Sequence, residues 1–184
     1  MLKKIFTPRL IYIAGIILAA ALFRLVPHWP NFTPVAAIAL FGGACLNKKY
    51  IAFLMPLAAL FLSDLILGFH GMMGWVYAGF VITTLIGLIL KRNITLFTVA
   101  GASLLSSVIF FLITNFGAWI GSPVYPDSFA GLIQCYVAGL AFFNDGSHGL
   151  SFFLNEVVGS LFYNAILFGS LYLVSKRFPA FASA

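Results

Sequence analysis

Long apolar runs recur along almost the whole chain and leave little room for a water-soluble domain. They lie near residues 9–26, 33–47, 50–69, 74–90, 95–116 and 150–174. Apart from the shorter second run, each is close to or above the ~17–25 residues that a helix needs to cross ~30 Å of hydrocarbon. Only 8% of the residues are charged, against roughly 25% in a soluble domain. The sequence therefore predicts an all-α integral membrane protein, with six transmembrane helices in a single domain over residues 1–184.

The basic residues are confined to every second connection between these runs. They precede the first run, join the second to the third and the fourth to the fifth, and follow the sixth: Lys3, Lys4, Arg9, Lys48, Lys49, Lys91, Arg92, Lys176 and Arg177. Among the remaining connections, Arg24 is the one basic residue. Because cytoplasmic loops carry the excess of Lys and Arg, both termini are predicted to be cytoplasmic. Trp29, Trp75 and Trp119 fall at the opposite, outer helix ends, where tryptophan prefers the membrane interface.

Several functional classes lack the sequence motifs that they require. The net charge of +6 is spread over short loops without interleaved aromatic residues, so we expect no nucleic-acid partner. No CxxC pair or zinc-type Cys/His spacing occurs, and Cys45 and Cys135 are interpreted as separate buried thiols. HExxH, GxSxG and the ATP-binding GxxxxGK[ST] motif do not occur either. We expect a protein that is not an enzyme and that holds no metal or cofactor.

Four of the predicted helices bring a charged or amide side chain to a similar depth. At ~1.5 Å per residue, Arg24 lies about 22 Å and Asp64 about 21 Å from the cytoplasmic start of its helix. Asn115 reaches the outer end of the fifth helix, and Glu156 lies about 9 Å below the outer start of the sixth. Ionisable groups in a bilayer cost several kcal/mol unless they are paired or face a wet cavity. Arg24 is predicted to pair with Asp64 or Glu156, either to fix helix packing or as part of a binding site.

The surplus of polar groups over one salt bridge favours a substrate-binding cavity at this level. On the last helix, Glu156, Ser160 and Tyr163 follow i, i+4, i+7 spacing and share one face. The cavity is expected to be open to the outer side, so that a solute can enter it from there. The predicted substrate-binding residues are Arg24, His28, Trp29, Asn31, Asp64, His70, Trp75, Asn115, Asn155, Glu156 and Tyr163.

Three outer connections could complete this cavity. In residues 24–34, Thr33 is predicted to cap a helix that starts at Pro34, after a stiff loop that covers or enters the cavity. Trp29 could also be a simple interfacial anchor. Residues 117–127 are interpreted as a turn-rich lid, and 128–143 as a short, half-inserted extra helix before the chain returns through 144–148. The outer histidines, His148 among them, are expected to meet water rather than a metal.

Several segments together resemble a known group of membrane proteins. These are Arg24, the run PHWPNFTPVAAIALFGG at 27–43, Ser63-Asp64, Thr114-Asn-Phe-Gly117 and Tyr125-Pro126. They look like a bacterial family of small membrane proteins. That family is itself similar to the S components, the substrate-binding subunits, of energy-coupling factor vitamin transporters. The distant likeness is to the cobalamin-specific kind, although His70, Met72 and Met73 stand where that kind has a cobalt-ligating cysteine.

The resemblance implies a substrate-binding component for uptake of a vitamin-like small molecule across the cytoplasmic (inner) membrane of a bacterium. It also implies a transmembrane scaffold protein and ATPases as partners. Because this chain has no ATP-binding motif, the energy for uptake comes from such partners, or transport is facilitated diffusion. Gly15 and Ala19, at the four-residue spacing that permits close helix approach, are predicted to contact the scaffold. The alternative is an accessory or structural subunit of a larger membrane complex, in which the polar groups serve assembly.

Overall fold

The computed structural model describes residues 7–141 and 151–182 as an all-helical protein. In those residues there are seven α-helices, a terminal 3-10 turn at Pro179–Phe181 and no β-strand. The helices are α1 Pro8–Phe23, α2 Val35–Cys45, α3 Lys49–Leu67, α4 Met73–Leu90, α5 Leu96–Ile120, α6 Phe129–Ala141 and α7 Phe152–Arg177. The all-α prediction is confirmed.

Four of these helices, α3, α4, α5 and α7, are long and apolar enough to cross a membrane. Their number, length and apolar composition indicate a multi-pass membrane protein. Helices α1 and α2 are apolar but shorter, with 16 and 11 residues. At ~1.5 Å per residue, α2 is only about 17 Å long, roughly half the hydrocarbon thickness. Six crossings therefore stay a prediction.

Helix α2 forms the centre of the bundle. All of its residues are buried, and it contacts α1, α3, α4, α5 and α7. Its closest neighbour is α4, because Gly43 and Gly87 let the two backbones touch: a Cβ on Gly87 would lie 2.3 Å from the Leu40 carbonyl oxygen. Small residues at such positions replace side-chain packing by direct backbone contact. A short helix of small residues can therefore be enclosed by five longer or more peripheral ones.

The described lysines and arginines other than Arg24 collect where α1, α3 and α5 begin and where α2, α4 and α7 end. We name this the basic end of the bundle. Contacts hold it together: the Arg9 Nη1 donates to the Phe181 carbonyl (2.7 Å), and the Lys91 Nζ donates to the Leu46 carbonyl (2.9 Å). The three tryptophans and Arg24 lie toward the opposite end, which we name the tryptophan end.

Two details of the sequence interpretation are wrong. Helix α2 begins at Val35, with Pro34 at the cap position and no side-chain cap hydrogen bond. The preceding backbone is fixed by packing instead, since Gly159 brings α7 against residues 32 and 33. Residues 117–120 belong to α5 rather than to a turn-rich lid, because Gly117 packs beneath Trp75 within the helix.

The short extra helix before the last long helix is confirmed as α6. Its Tyr136 hydroxyl donates to the Leu112 carbonyl of α5 (2.9 Å), and its Cys135 thiol donates to the Asn115 carbonyl (3.4 Å). These bonds fasten α6 along the last turns of α5. The predicted return of the chain through 144–148, with His148, lies outside the described residues.

Candidate functional site

Arg24 and Asp64 form a salt bridge between the end of α1 and α3. Arg24 Nη1 lies 2.8 Å from Asp64 Oδ1, with side chains 11% and 3% exposed. The same nitrogen donates to the Leu60 carbonyl (3.3 Å) and to the Ser63 hydroxyl. On the other side, the Tyr77 hydroxyl of α4 donates to Asp64 Oδ2 (2.9 Å). Arg24 therefore pairs with Asp64, one of the two partners that the sequence allowed.

Glu156, the other candidate partner, has no counter-charge in the described part of the chain. It lies in the second turn of α7 and is 5% exposed. Its Oε1 atom is buried without a hydrogen-bond partner. A buried carboxylate oxygen in this state costs free energy, and such groups are usually satisfied by an ion, water or ligand. Glu156 is thus the least satisfied acidic group that the structure describes.

A cavity of about 440 Å³ lies between Glu156 and Arg24 at the tryptophan end. It is bounded by the α1–α2 connection and by α4, α5, α6 and α7. Its polar lining consists of Arg24, Asn31, Thr33, His70, Thr114, Asn115 and Glu156. The volume is in the range of small-molecule sites, which combine apolar walls with a few convergent polar groups.

The arginine enters this cavity with part of its guanidinium free. Every polar contact of Arg24 to the described residues uses Nη1, so Nε and Nη2 have no hydrogen-bond partner there. Asp64 itself lies behind Arg24 and is not part of the lining. The salt bridge therefore fixes the arginine and leaves its Nε and Nη2 donors unused by the described residues.

Four phenylalanines form part of the apolar cavity wall. Phe110 and Phe111 come from α5, and Phe152 and Phe153 come from the first turn of α7. The rings of Phe111 and Phe153 meet edge to face at 5.0 Å. Gly139 of α6 completes the wall, and any Cβ there would lie 2.3 Å from Asn115 Oδ1. The backbone of α6 thus lies directly against the Asn115 side chain and closes one side of the cavity.

The α1–α2 connection is attached to the start of α7 by two amide side chains. The Asn155 Nδ2 donates to the Pro30 carbonyl (3.0 Å), and the Asn31 Nδ2 donates to the Phe152 carbonyl (3.4 Å). Asn31 adopts a positive φ of 62°, a conformation that asparagine tolerates better than most residues. These contacts place Asn31 in the cavity lining while Asn155 holds the loop.

Other predicted substrate residues lie away from the cavity. His28 and Trp29 border a separate surface depression, and Trp29 is 50% exposed. Trp75 packs across Gly117, whose Cβ would lie 2.2 Å from its ring. The Tyr163 ring contacts that of Phe32 at 5.7 Å. These side chains contribute to packing or to the surface at the tryptophan end.

Sequence reasoning missed Tyr77 and the phenylalanine walls. Tyr77 reaches Asp64 across the turn between α3 and α4, and only the angle between those helices brings the two together. Phenylalanine is frequent in this chain, so an individual Phe gives no signal. A polar residue in an apolar helix signals a functional site in the sequence, because its burial is costly. An apolar residue in such a helix gives no such signal.

Comparison with known proteins places the chain in one family. The profile described as "Family of unknown function (DUF6580)" matches residues 4–181, almost the full length. The chain belongs to the DUF6580 family. No curated protein and no solved structure matches this DUF6580 member.

The charges around the cavity of this DUF6580 protein do not balance. Arg24 and Asp64 compensate each other at 2.8 Å, and Glu156 adds one carboxyl group that has no partner in the described part of the chain. No group of three His, Cys, Asp or Glu that could hold a metal ion occurs among the described residues. The arrangement can bind an organic molecule that offers a donor or positive charge to Glu156 and an acceptor to Arg24.

Proposed function

We propose that this protein is the substrate-binding component of an uptake system for a small, vitamin-like molecule. The observation that carries the proposal is the 440 Å³ cavity lined by Glu156, whose buried Oε1 has no partner among the residues that the structure describes. A group that served helix packing alone would be paired with another protein group, as Asp64 is. An intramembrane carboxyl group that faces a cavity is a functional-site hypothesis by default.

The proposed ligand has a flat or aromatic body with a donor or cationic nitrogen. Glu156 would accept from this nitrogen, and the free edge of Arg24 would donate to an acceptor elsewhere on the ligand. The phenylalanine walls would contact the body and would favour a cation through their ring faces. A ligand of this type replaces the missing hydrogen bond of Glu156 and covers the apolar wall in one binding event.

The proposed topology has six crossings with both termini in the cytoplasm. The separation of Lys and Arg at the basic end from the tryptophans at the other end supports this orientation. The cavity at the tryptophan end would then receive its ligand from outside. The membrane would be the inner membrane of a bacterium, following the resemblance to S components.

The proposed partners are a transmembrane scaffold protein and ATPases. Gly15 and Ala19 are exposed on one face of α1, and a Cβ on Gly15 would meet no atom within 4 Å. This open strip of small residues can accept a close-packed partner helix. Energy for uptake would come from the ATPases, and the protein described here would supply recognition rather than catalysis.

Extraction of bound molecules from the purified protein tests the proposal. Wild-type protein purified in mild detergent is expected to release a small molecule that mass spectrometry detects. Glu156→Gln is expected to lose it, whereas Asp127→Asn, which changes an exposed acid in the α5–α6 connection, is expected to keep it. If wild type and Glu156→Gln release the same molecule in equal amount, Glu156 does not bind it.

The second candidate, an accessory subunit of a larger complex, is favoured by the same exposed strip on α1. It predicts a protein that is unstable in detergent without its complex and releases no specific small molecule. A monodisperse, ligand-containing preparation of the isolated chain would exclude it.

A further inference from the structure

A second, smaller cavity lies at the basic end, on the other side of the bundle from the proposed substrate site. It measures about 140 Å³ and lies between the start of α1 and the α2–α3 connection, where Arg9, Cys45, Asn47, Lys48 and Ile51 are part of its lining. At ~30 Å³ of liquid volume per water, this is space for about five water molecules. A tetrahedral oxyanion such as a phosphate group fits this space, and a whole lipid does not.

Arg9 presents an unsatisfied donor in this region. Its Nη1 donates to the Phe181 carbonyl at 2.7 Å, which fixes the guanidinium against the C-terminal 3-10 turn. Its Nε is buried without a hydrogen-bond partner in the described structure. An unpaired charged donor is more costly than a neutral one. Because Arg9 lines the cavity, its incompletely compensated positive charge would be stabilised by an anion there.

The surrounding charges determine whether this cavity favours a ligand of positive or negative charge. Lys48 lines the cavity, and the Lys91 Nζ donates to the Asn47 Oδ1 at 3.2 Å on its rim. Asp64, Asp127 and Glu156, the acids that the structure describes, all lie toward the tryptophan end. With several cations and no described carboxylate nearby, the cavity favours an anion.

A separate apolar groove lies one helical turn away from this cavity, between the same two helices. Ile13 of α1 and Ile51 of α3 line the cavity. One turn further along each helix, Ile17 and Met55 line a groove of about 200 Å³, together with Ala14, Leu18, Ala58, Ala59 and Leu62. An anion site at the helix ends followed by an apolar groove between the helices matches a phosphate head group with an attached acyl chain.

We propose that the basic end binds an anionic phospholipid, with its phosphate in the 140 Å³ cavity and an acyl chain in the α1–α3 groove. Basic pockets between membrane helices are known to hold anionic head groups. A lipid without net charge fits less well, because its cationic head-group nitrogen would meet Lys48 and Lys91 rather than a carboxylate. This inference is independent of the substrate cavity.

Native mass spectrometry of the detergent-purified protein, titrated with phosphatidylglycerol or phosphatidylcholine of identical acyl chains, tests the proposal. Wild type is expected to retain phosphatidylglycerol at least about fivefold better, the ratio that one extra favourable charge contact gives. Arg9→Gln is expected to weaken phosphatidylglycerol retention about tenfold, and Arg9→Lys to restore part of it. Lys49→Gln, an exposed cation at the same end that does not line the cavity, is the matched control and should retain the lipid.

Further experiments distinguish binding of the lipid from binding of free phosphate. Ala58→Leu fills the groove and is expected to weaken retention while the cavity stays intact. Equal retention of the two lipids, or unchanged retention in Arg9→Gln, would overturn the site. Displacement of the lipid by millimolar inorganic phosphate, together with normal retention in Ala58→Leu, would assign the cavity to free phosphate and overturn the lipid. If Arg9→Gln does not fold, Lys48→Gln replaces it, since Lys48 lines the cavity and is exposed.

Discussion

Asp64 and Glu156 are two buried acids near one cavity, and their neutral isosteres should affect stability in opposite ways. Asp64→Asn removes the charge that compensates Arg24 at 2.8 Å. Removal of one partner from a buried ion pair costs about 3–5 kcal/mol. The arginine side chain is 11% exposed, so some solvation remains, and we expect a loss near the lower limit, about 3 kcal/mol.

Glu156→Gln removes a carboxyl group whose Oε1 has no partner among the described residues. The amide keeps the shape and is cheaper to bury than a carboxylate. We expect the ligand-free protein to be unchanged or stabilised by up to about 1 kcal/mol.

Thermal unfolding of dialysed, ligand-free protein in detergent, followed by tryptophan fluorescence, measures both effects. For a domain of 150–250 residues, 1 kcal/mol shifts Tm by about 2–4 °C. Asp64→Asn should therefore unfold about 6–12 °C earlier, while Glu156→Gln unfolds at or slightly above the wild-type temperature. The double variant Arg24→Met/Asp64→Leu, which removes both charges, should recover most of the loss.

Losses of similar size in the two single variants would refute the reasoning, because Glu156 would then make a stabilising contact of its own. An unchanged Tm in Asp64→Asn would show that the Arg24–Asp64 bridge does not hold α1 to α3. A double variant no more stable than Asp64→Asn would indicate that the polar groups stabilise through contacts other than the charge pair.

Further predictions concern helix packing and cysteine burial. Gly87→Ala places a Cβ 2.3 Å from the Leu40 carbonyl oxygen, about 1 Å inside normal contact, and is expected to lose about 1–3 kcal/mol by overpacking. The control Gly101→Ala meets no atom within 4 Å and should gain up to about 1 kcal/mol from helix propensity; both appear as Tm shifts, and equal shifts would contradict the close α2–α4 contact. Cys45 and Cys135 are each 3% exposed, so a maleimide should label them only after denaturation, and rapid labelling of the native protein would contradict their burial.

The positions of the long helices could be predicted from the sequence alone. Apolar runs interrupted by polar or glycine-containing turns determine where each helix lies, because an unsatisfied backbone in a membrane is too costly to leave non-helical. The predicted bounds agree with α3, α4 and α7 within a few residues, and α5 extends four residues further. The clearest disagreement, residues 117–120, arises because Gly117 packs beneath Trp75 within α5, a contact that no local sequence pattern signals.

Which polar residues face the cavity was decided by the tertiary structure. Depth along a helix follows from sequence, since each residue adds a fixed rise, and it correctly brought Arg24 and Asp64 together. The direction in which each helix turns a side chain and the angles between helices do not follow from the sequence in this way. These determine that Glu156 borders the cavity without pairing with Arg24, that Tyr77 reaches Asp64, and that Trp75 covers Gly117. The sequence specifies the depth of a side chain along its helix. Which neighbour that side chain contacts depends on how five helices pack around α2.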